Sequence, residues 1–265
     1  MPDSHAPDES GPTGEFSPDW LTLREPADAA ARAADLVGEL PGPVRVIRDL
    51  GCGTGSLGRW LAPQLPAPQH WIMTDRDPAL LKLAADGMPA EVTVSTDLRD
   101  VTALTAADLA GTDLVTCSAL LDLLTAGEVE ALVAACAQAK VSALFTLSVT
   151  GEVKLAPEDP LDQAVGEAFN EHQRRETGGR RLLGPDAPAF AVAAFERAGA
   201  RVLTRPSPWR LGPALSTLTD QWLRGWASAA GAQRPDLALG AYLTRRTAAV
   251  PHASVGHQDL LAIFE

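Results

Sequence analysis

Three aspartates and a run of glycines carry the chemistry legible in this chain. Asp49, Gly51, Gly53 and Gly55 fall at alternate positions at the end of an apolar run, Val44-Arg-Val-Ile-Arg-Asp-Leu50. Asp75 closes a second run, His70-Trp-Ile-Met-Thr-Asp75, and Asp97 follows a third, Glu91-Val-Thr-Val-Ser-Thr96. Glycines at that spacing let the backbone turn sharply and keep side chains away from a ligand. A strand feeding such a turn, with a helix pattern from Ser56, opens an α/β nucleotide site at the carboxyl ends of the strands.

Two registers of the loop name two nucleotides. Gly53-Thr-Gly55-Ser-Leu-Gly58 matches the dinucleotide fingerprint, which would make the protein an NAD-dependent oxidoreductase. The other register starts at the strand end, where Asp49 precedes Gly51, Gly53 and Gly55. A carboxylate there repels a pyrophosphate and suits a ligand carrying ammonium and sulfonium charge. In this register the stretch from Val44 to about Val149 resembles the class I S-adenosylmethionine-dependent methyltransferases.

The resemblance implies S-adenosyl-L-methionine as cofactor and assigns residues to it. Asp49, Gly51, Cys52, Gly53 and Gly55 would lie against its amino acid end. Asp75, which also sits at the spacing of a ribose carboxylate, would bind the ribose hydroxyls. Arg76 would pack on the adenine face. Asp97 would read the adenine amino group, with Leu98 supplying a backbone contact. Cys117 and Ser118, at the end of a fourth strand, would stand where the family places the methyl group and the acceptor.

The acceptor side is less constrained. Methyl transfer draws most of its rate from alignment, so a conspicuous base is optional. Ser118 and Asp122 fall near the expected transfer point, with Asp122 a candidate base, a cap or a surface residue. The fourth strand lacks the Asp/Asn-Pro-Pro-aromatic motif that the family uses for planar amines. Further on, His172 is a second candidate base, since its pKa lies near working pH. Arg174, Arg175, Arg180 and Arg181 are candidates to hold an anionic group, or form a solvated face. Trp209 is a candidate pocket wall. Trp222 and Trp226, one helical turn apart, read as core or interface, and His257 as a core histidine. The expected function is methyl transfer to an oxygen or nitrogen of a small, anionic metabolite or natural-product intermediate. A non-catalytic methyltransferase-like partner subunit is the alternative from another class.

The elements that must position these residues follow from periodicity. Helices are expected over 18–40, from Ser56, from Asp77-Pro78, and over 128–140, 161–175, 186–198, 214–230 and 236–248. Strands are expected over 44–50, 70–75, 91–96, 113–118, 141–149, 201–204 and 255–264. That order predicts an α/β, Rossmann-like, seven-stranded, mostly parallel sheet with helices on both faces and an antiparallel final strand. A helical extension precedes it and a helical insertion interrupts it before the last strand. Residues 1–17, rich in Pro, Gly, Ser and acid, read as a disordered tail. Residues 18–265 read as one domain: a helical cap (18–42), a cofactor half (43–150) and a substrate half (151–265). Within the cap, Arg24, Glu25 and Arg32 are either solvated or part of a lid with an arginine near an anion.

Composition narrows the partners. The chain has 265 residues, 46% hydrophobic, and a formal net charge of −12. Such acidity disfavours a nucleic-acid partner. Three cysteines and five scattered histidines offer no metal-ligand spacing and no disulfide framework. No apolar run reaches a membrane-spanning length and no signal pattern opens the chain, so a cytoplasmic monomer or homodimer is expected.

Overall fold

Five parallel strands, β1 (Val46–Leu50), β2 (His70–Asp75), β3 (Thr93–Leu98), β4 (Leu114–Ser118) and β5 (Ser142–Ala156), form most of the central sheet of the computed structural model. The structure describes residues 17–249 and 252–264; the predicted tail lies almost wholly outside them. The sheet runs β3-β2-β1-β4-β5-β10-β8, where β8 is Arg201–Pro206 and β10 is His252–Ile263. β10 is antiparallel to both neighbours. The seven expected strands are therefore present, and an eighth short strand, β9 (Trp209–Leu211), pairs with β10.

β1 and β4 are almost fully buried, as strands covered on both faces must be. On one face α4 (Ala126–Ala139) and α6 (Ala187–Arg197) pack Val129, Leu132, Ala191 and Phe195 against Phe145 and Leu260. On the other, α2 (Ser56–Leu61) and α3 (Pro78–Gly87) pack Leu61 and Leu81 against Ile47, Trp71 and Met73. Asp77 caps α3 by accepting from the backbone N–H of Ala79 and Leu80, as its Asp-Pro start predicts.

A third apolar cluster stands beyond the sheet. It joins α1 (Pro18–Ala31), α5 (Asp162–Gln173), α7 (Ser216–Gln233) and α8 (Leu239–Ala249) to the outer reach of β5, β9 and β10. Trp222 and Trp226 stack there at 5.5 Å, so the pair is core, and His257 is buried close by. Desolvation pushes the His257 imidazole down to about 4, which keeps it neutral at physiological pH.

The outer reach of β5 was not legible as strand. The fifth strand was expected to end at Val149, yet β5 continues to Ala156, where β10 supplies a partner. Gly151 has φ +77°, and a side chain there would meet Asn170 and Pro185. A second unforeseen element is a hairpin between β6 (Glu176–Thr177) and β7 (Arg180–Arg181). Its turn is Gly178-Gly179, both at positive φ, the conformation that two-residue hairpin turns need.

One buried carboxylate ties the three regions together. Asp259 of β10 accepts from the backbone N–H of Ala33 at 2.8 Å, from that of Leu147 in β5 at 2.7 Å, and from the Ser207 hydroxyl. It thereby fixes the exit of α1 against the sheet. Asp259→Ala leaves these donors buried and unmatched, and should cost about 3 kcal/mol or more. Urea denaturation checks this, and a loss below about 1 kcal/mol would contradict the role assigned.

Candidate active site

Strand order reverses at β1, which pairs β2 on one side and β4 on the other. Connections leave in opposite directions there and open a crevice at the carboxyl ends of the strands. A cavity of about 710 Å³ occupies it. The glycine loop forms its floor, α1 covers it, and the segment from Arg175 to Leu182 makes its far wall.

Gly51 and Gly53 both line the cavity with φ near +55° (+58° and +54°). A Cβ at Gly51 would press on Leu120, and one at Gly53 on Leu21 of α1. The missing side chains keep the loop low and let the lid lie close. Gly55 serves the fold instead: it faces the backbone of Ala84 in α3 and lies outside the lining.

Asp49 lines the floor with its side chain buried. Its Oδ1 accepts from the Thr116 hydroxyl at 2.7 Å, while Oδ2 is buried with no partner among the described residues. Burial pushes its carboxyl up to about 7; the Thr116 bond and the Arg32 charge act downward, and Asp75 acts upward. Asp75, at the end of β2, is held by two backbone donors, Gly53 N–H at 2.9 Å and Asp77 N–H at 3.0 Å. Each oxygen keeps a lone pair for a ligand. Cys52, Arg76 and Ser118 complete the predicted residues on this side of the cavity.

Helix α1 of the N-terminal cap contributes to the lining of the cavity. Leu21, Arg24, Asp28 and Arg32 repeat at three to four residues along α1 and its C-cap and face the cavity. Ser17 caps the helix, while Asp19 lies in its first turn. Glu25 on a neighbouring face pairs with Arg59 of α2 at 2.8 Å, and Arg59 also donates to the Thr54 carbonyl. Asp28 accepts from Arg24 at 3.0 Å and from Trp209 Nε1 at 2.9 Å.

Several predicted residues stand elsewhere. Asp97 lies inside β3, which begins and ends two residues later than the sequence pattern implied. It pairs there with Arg48 at 2.7 Å and Arg99 at 3.2 Å, outside the lining. Asp100, past the strand end, is the carboxylate on that wall. Leu98 points to solvent at 62% exposure. Cys117, on β4, is buried in the core, where burial raises its thiol pKa. Trp209 is buried beneath α1 and is no pocket wall.

On the acceptor side, Arg175 lines the cavity, whereas Arg174 is engaged by Asp186 and Arg181 is exposed outside it. Arg180 also lines it, clamped to Glu128 at 2.6 Å. His172, on α5, and Asp122, after β4, are not lining residues. Asp122 Oδ1 is nonetheless buried without a partner among the described residues, and burial raises that carboxyl pKa. The charged stripe of α1 had a signal, the i, i+4, i+8 order Arg24, Asp28, Arg32. Asp100 and Glu128 carried no such signal, and Glu128 serves in the capping box of α4.

Residues 47–140 match a family described as a methyltransferase domain. That span runs from β1 to the end of α4 and contains the glycine loop, Asp75 and Ser118. Over that span the chain is similar to a methyltransferase domain. The NAD-dependent reading of the loop gives way to this match. No curated protein matches the sequence. Among solved structures, a cyclopropane synthase from Mycobacterium tuberculosis shares 15% identity with a TM-score of 0.52, over 93% of this chain and 94% of that one. Magnesium protoporphyrin IX methyltransferase from Synechocystis, solved with S-adenosylhomocysteine, shares 13% identity with a TM-score of 0.47, over 92% and 83%. At 15% identity the likeness to the cyclopropane synthase is one of fold.

Asp49 gives the methyltransferase domain a testable pH signature. Its folded pKa of about 7 stands above the unfolded value of 3.8, so the folded state holds the proton more tightly. Stability from this group is therefore lost as pH rises from about 4 through 7. Asp49→Asn should gain several degrees in Tm relative to wild type between pH 5 and pH 8, in ligand-free protein. A pH-independent difference in thermal denaturation would contradict the buried, unpaired carboxylate.

Proposed function

We propose that the chain transfers a methyl group from S-adenosylmethionine to an oxygen or nitrogen of a small, anionic acceptor. The observation that carries the reading is one cavity walled by Asp49, the bare glycine loop and Asp75. Asp49 offers a cation an unmatched carboxylate oxygen, and Asp75 offers a ribose two oriented acceptors. Leu80 of α3 supplies apolar surface beside Arg76 for a flat base. The residues thus fit this donor.

When bound, the donor supplies an electrophilic methyl carbon on a cationic sulfur. The chain supplies alignment and exclusion of water. α1 closes the donor side through Leu21 and the Glu25–Arg59 clasp, and Asp49 balances positive charge in a site that burial makes electrostatically strong. The acceptor end is read from Leu120, Leu123, Leu124 and Leu182, with Arg175 beside them. Among the described residues Arg175 has no carboxylate partner; it donates only to the His172 carbonyl. An apolar body carrying one carboxylate, phosphate or phenolate matches that lining. The acidic chain supports a small molecule over a nucleic acid.

Three results test the reading. Asp75→Ala should weaken S-adenosylhomocysteine binding about 10–100-fold in equilibrium dialysis, since bonds to a charged partner are worth about 1.5–3 kcal/mol; unchanged affinity would contradict it. Incubation of the full chain with a methyl-labelled donor and fractionated small-molecule extract should label an anionic product. Arg175→Leu should raise the acceptor KM at least tenfold with donor affinity unchanged. Labelling confined to a nucleic acid, or none from any acceptor, would favour another acceptor or a non-catalytic subunit.

A further inference from the structure

Arg24 is a guanidinium fixed in place with one edge left open. It stands on α1 with its side chain 12% exposed, and it lines the cavity. Its side-on edge is taken. Nε donates to both oxygens of Asp28, at 3.3 and 3.0 Å, and Nη2 donates to Oδ1 at 3.2 Å. The guanidinium carbon lies over the Trp209 ring, 4.8 Å from its centre, and the indole N–H donates to the same carboxylate. Nη1 has no partner among the described residues. The end-on edge, Nη1 with the second hydrogen of Nη2, is a fork that matches a carboxylate. A group already held this firmly loses little freedom when it binds.

The sheet order sets Arg24 apart from the donor floor. Asp75 and Asp49 stand on β2 and β1, to one side of β4. Trp209, on which Arg24 rests, is on β9, which pairs with β10 beyond β5 on the other side. The charges agree: Asp122, in the turn after β4, feels Arg24, whereas Asp49 feels Arg32. Arg24 therefore faces the acceptor end, where Leu120 and Leu123 line the cavity. Two guanidiniums, Arg24 and Arg32, share the one carboxylate of Asp28, so the inner face of α1 carries net positive charge. Burial raises the Asp122 pKa, which weakens its opposition to an anion there. Arg175 reaches the same cavity from the segment after α5, also with donors to spare.

We propose that the open edge of Arg24 holds a carboxylate of the acceptor, while Arg175 holds a second anionic group. Resting on the acceptor reading above, this narrows the acceptor to a dianion: an apolar body with a carboxylate at one end and a further anionic group at the other. Because Arg24 belongs to α1, the helix that covers the donor side also reads the acceptor.

Calorimetric titration tests this. The full chain, saturated with S-adenosylhomocysteine, is titrated with α,ω-dicarboxylates from succinate to sebacate and with the matching monocarboxylates. At the length that spans the two arginines, wild type should prefer the dicarboxylate about 10–100-fold, the range for hydrogen bonds between charged partners. Arg24→Met should bind that dicarboxylate no better than its monocarboxylate, with affinity for S-adenosylhomocysteine unchanged. Arg24→Lys keeps the charge beside Asp28 without the planar fork; it guards against a folding defect and should lose most of the preference. Absence of a preference at every length overturns the proposal. So does an Arg24→Met variant that keeps the preference, or one that loses affinity for S-adenosylhomocysteine instead. Failure of wild type to bind S-adenosylhomocysteine overturns the donor reading alone, because the dicarboxylate series, run without it, still decides the two-arginine site.

Discussion

A carboxylate buried without a counter-ion at the reversal point of the sheet sets the terms for the rest of the molecule. Asp49 sits in β1, the strand from which the two halves of the sheet depart, and it meets a single hydroxyl. Ionising it there is unfavourable, and the fold does nothing to neutralise it by direct pairing. The surrounding design makes sense if that charge awaits a ligand. Glycines remove side chains above it, and a second carboxylate, Asp75, is oriented by backbone donors at the next strand end.

Enclosure comes from the N-terminal helix, which is fastened at three points by different chemistry. Glu25 clasps Arg59 on α2, Asp28 takes the indole N–H of Trp209, and Asp259 holds the first N–H past the C-cap. The aromatic cluster behind α1 is thus the anvil on which the lid rests. Trp20 meets Trp209 edge to face, and the Arg24 guanidinium lies over the Trp209 ring at 4.8 Å. Residues far from the glycine loop in sequence therefore determine whether this side of the cavity is closed.

Much of this was legible before the structure. Strand alternation and glycine spacing gave the sheet and the floor, because those signals are local. What failed was register and reach. A two-residue shift of β3 moved Asp97 into a strand and into an ion pair with Arg48, and put Asp100 on the cavity wall. Periodicity does not determine element ends that closely. Trp209 looked like a pocket aromatic, yet its N–H satisfies Asp28 under α1, a contact spanning most of the chain. Arg174 and Arg175 are adjacent, and sequence could not tell that Asp186 engages one and leaves the other at the cavity. Such differences arise from tertiary placement, which no local pattern encodes.

The central claim is spatial: one crevice, between the glycine loop and α1, holds the methyl donor. A crystal structure of the full chain grown with S-adenosylhomocysteine tests it most directly. The account predicts the ribose on Asp75 and the cationic amino acid end beside Asp49, beneath α1. Density for the ligand elsewhere on the chain, or its ribose away from Asp75, would contradict it.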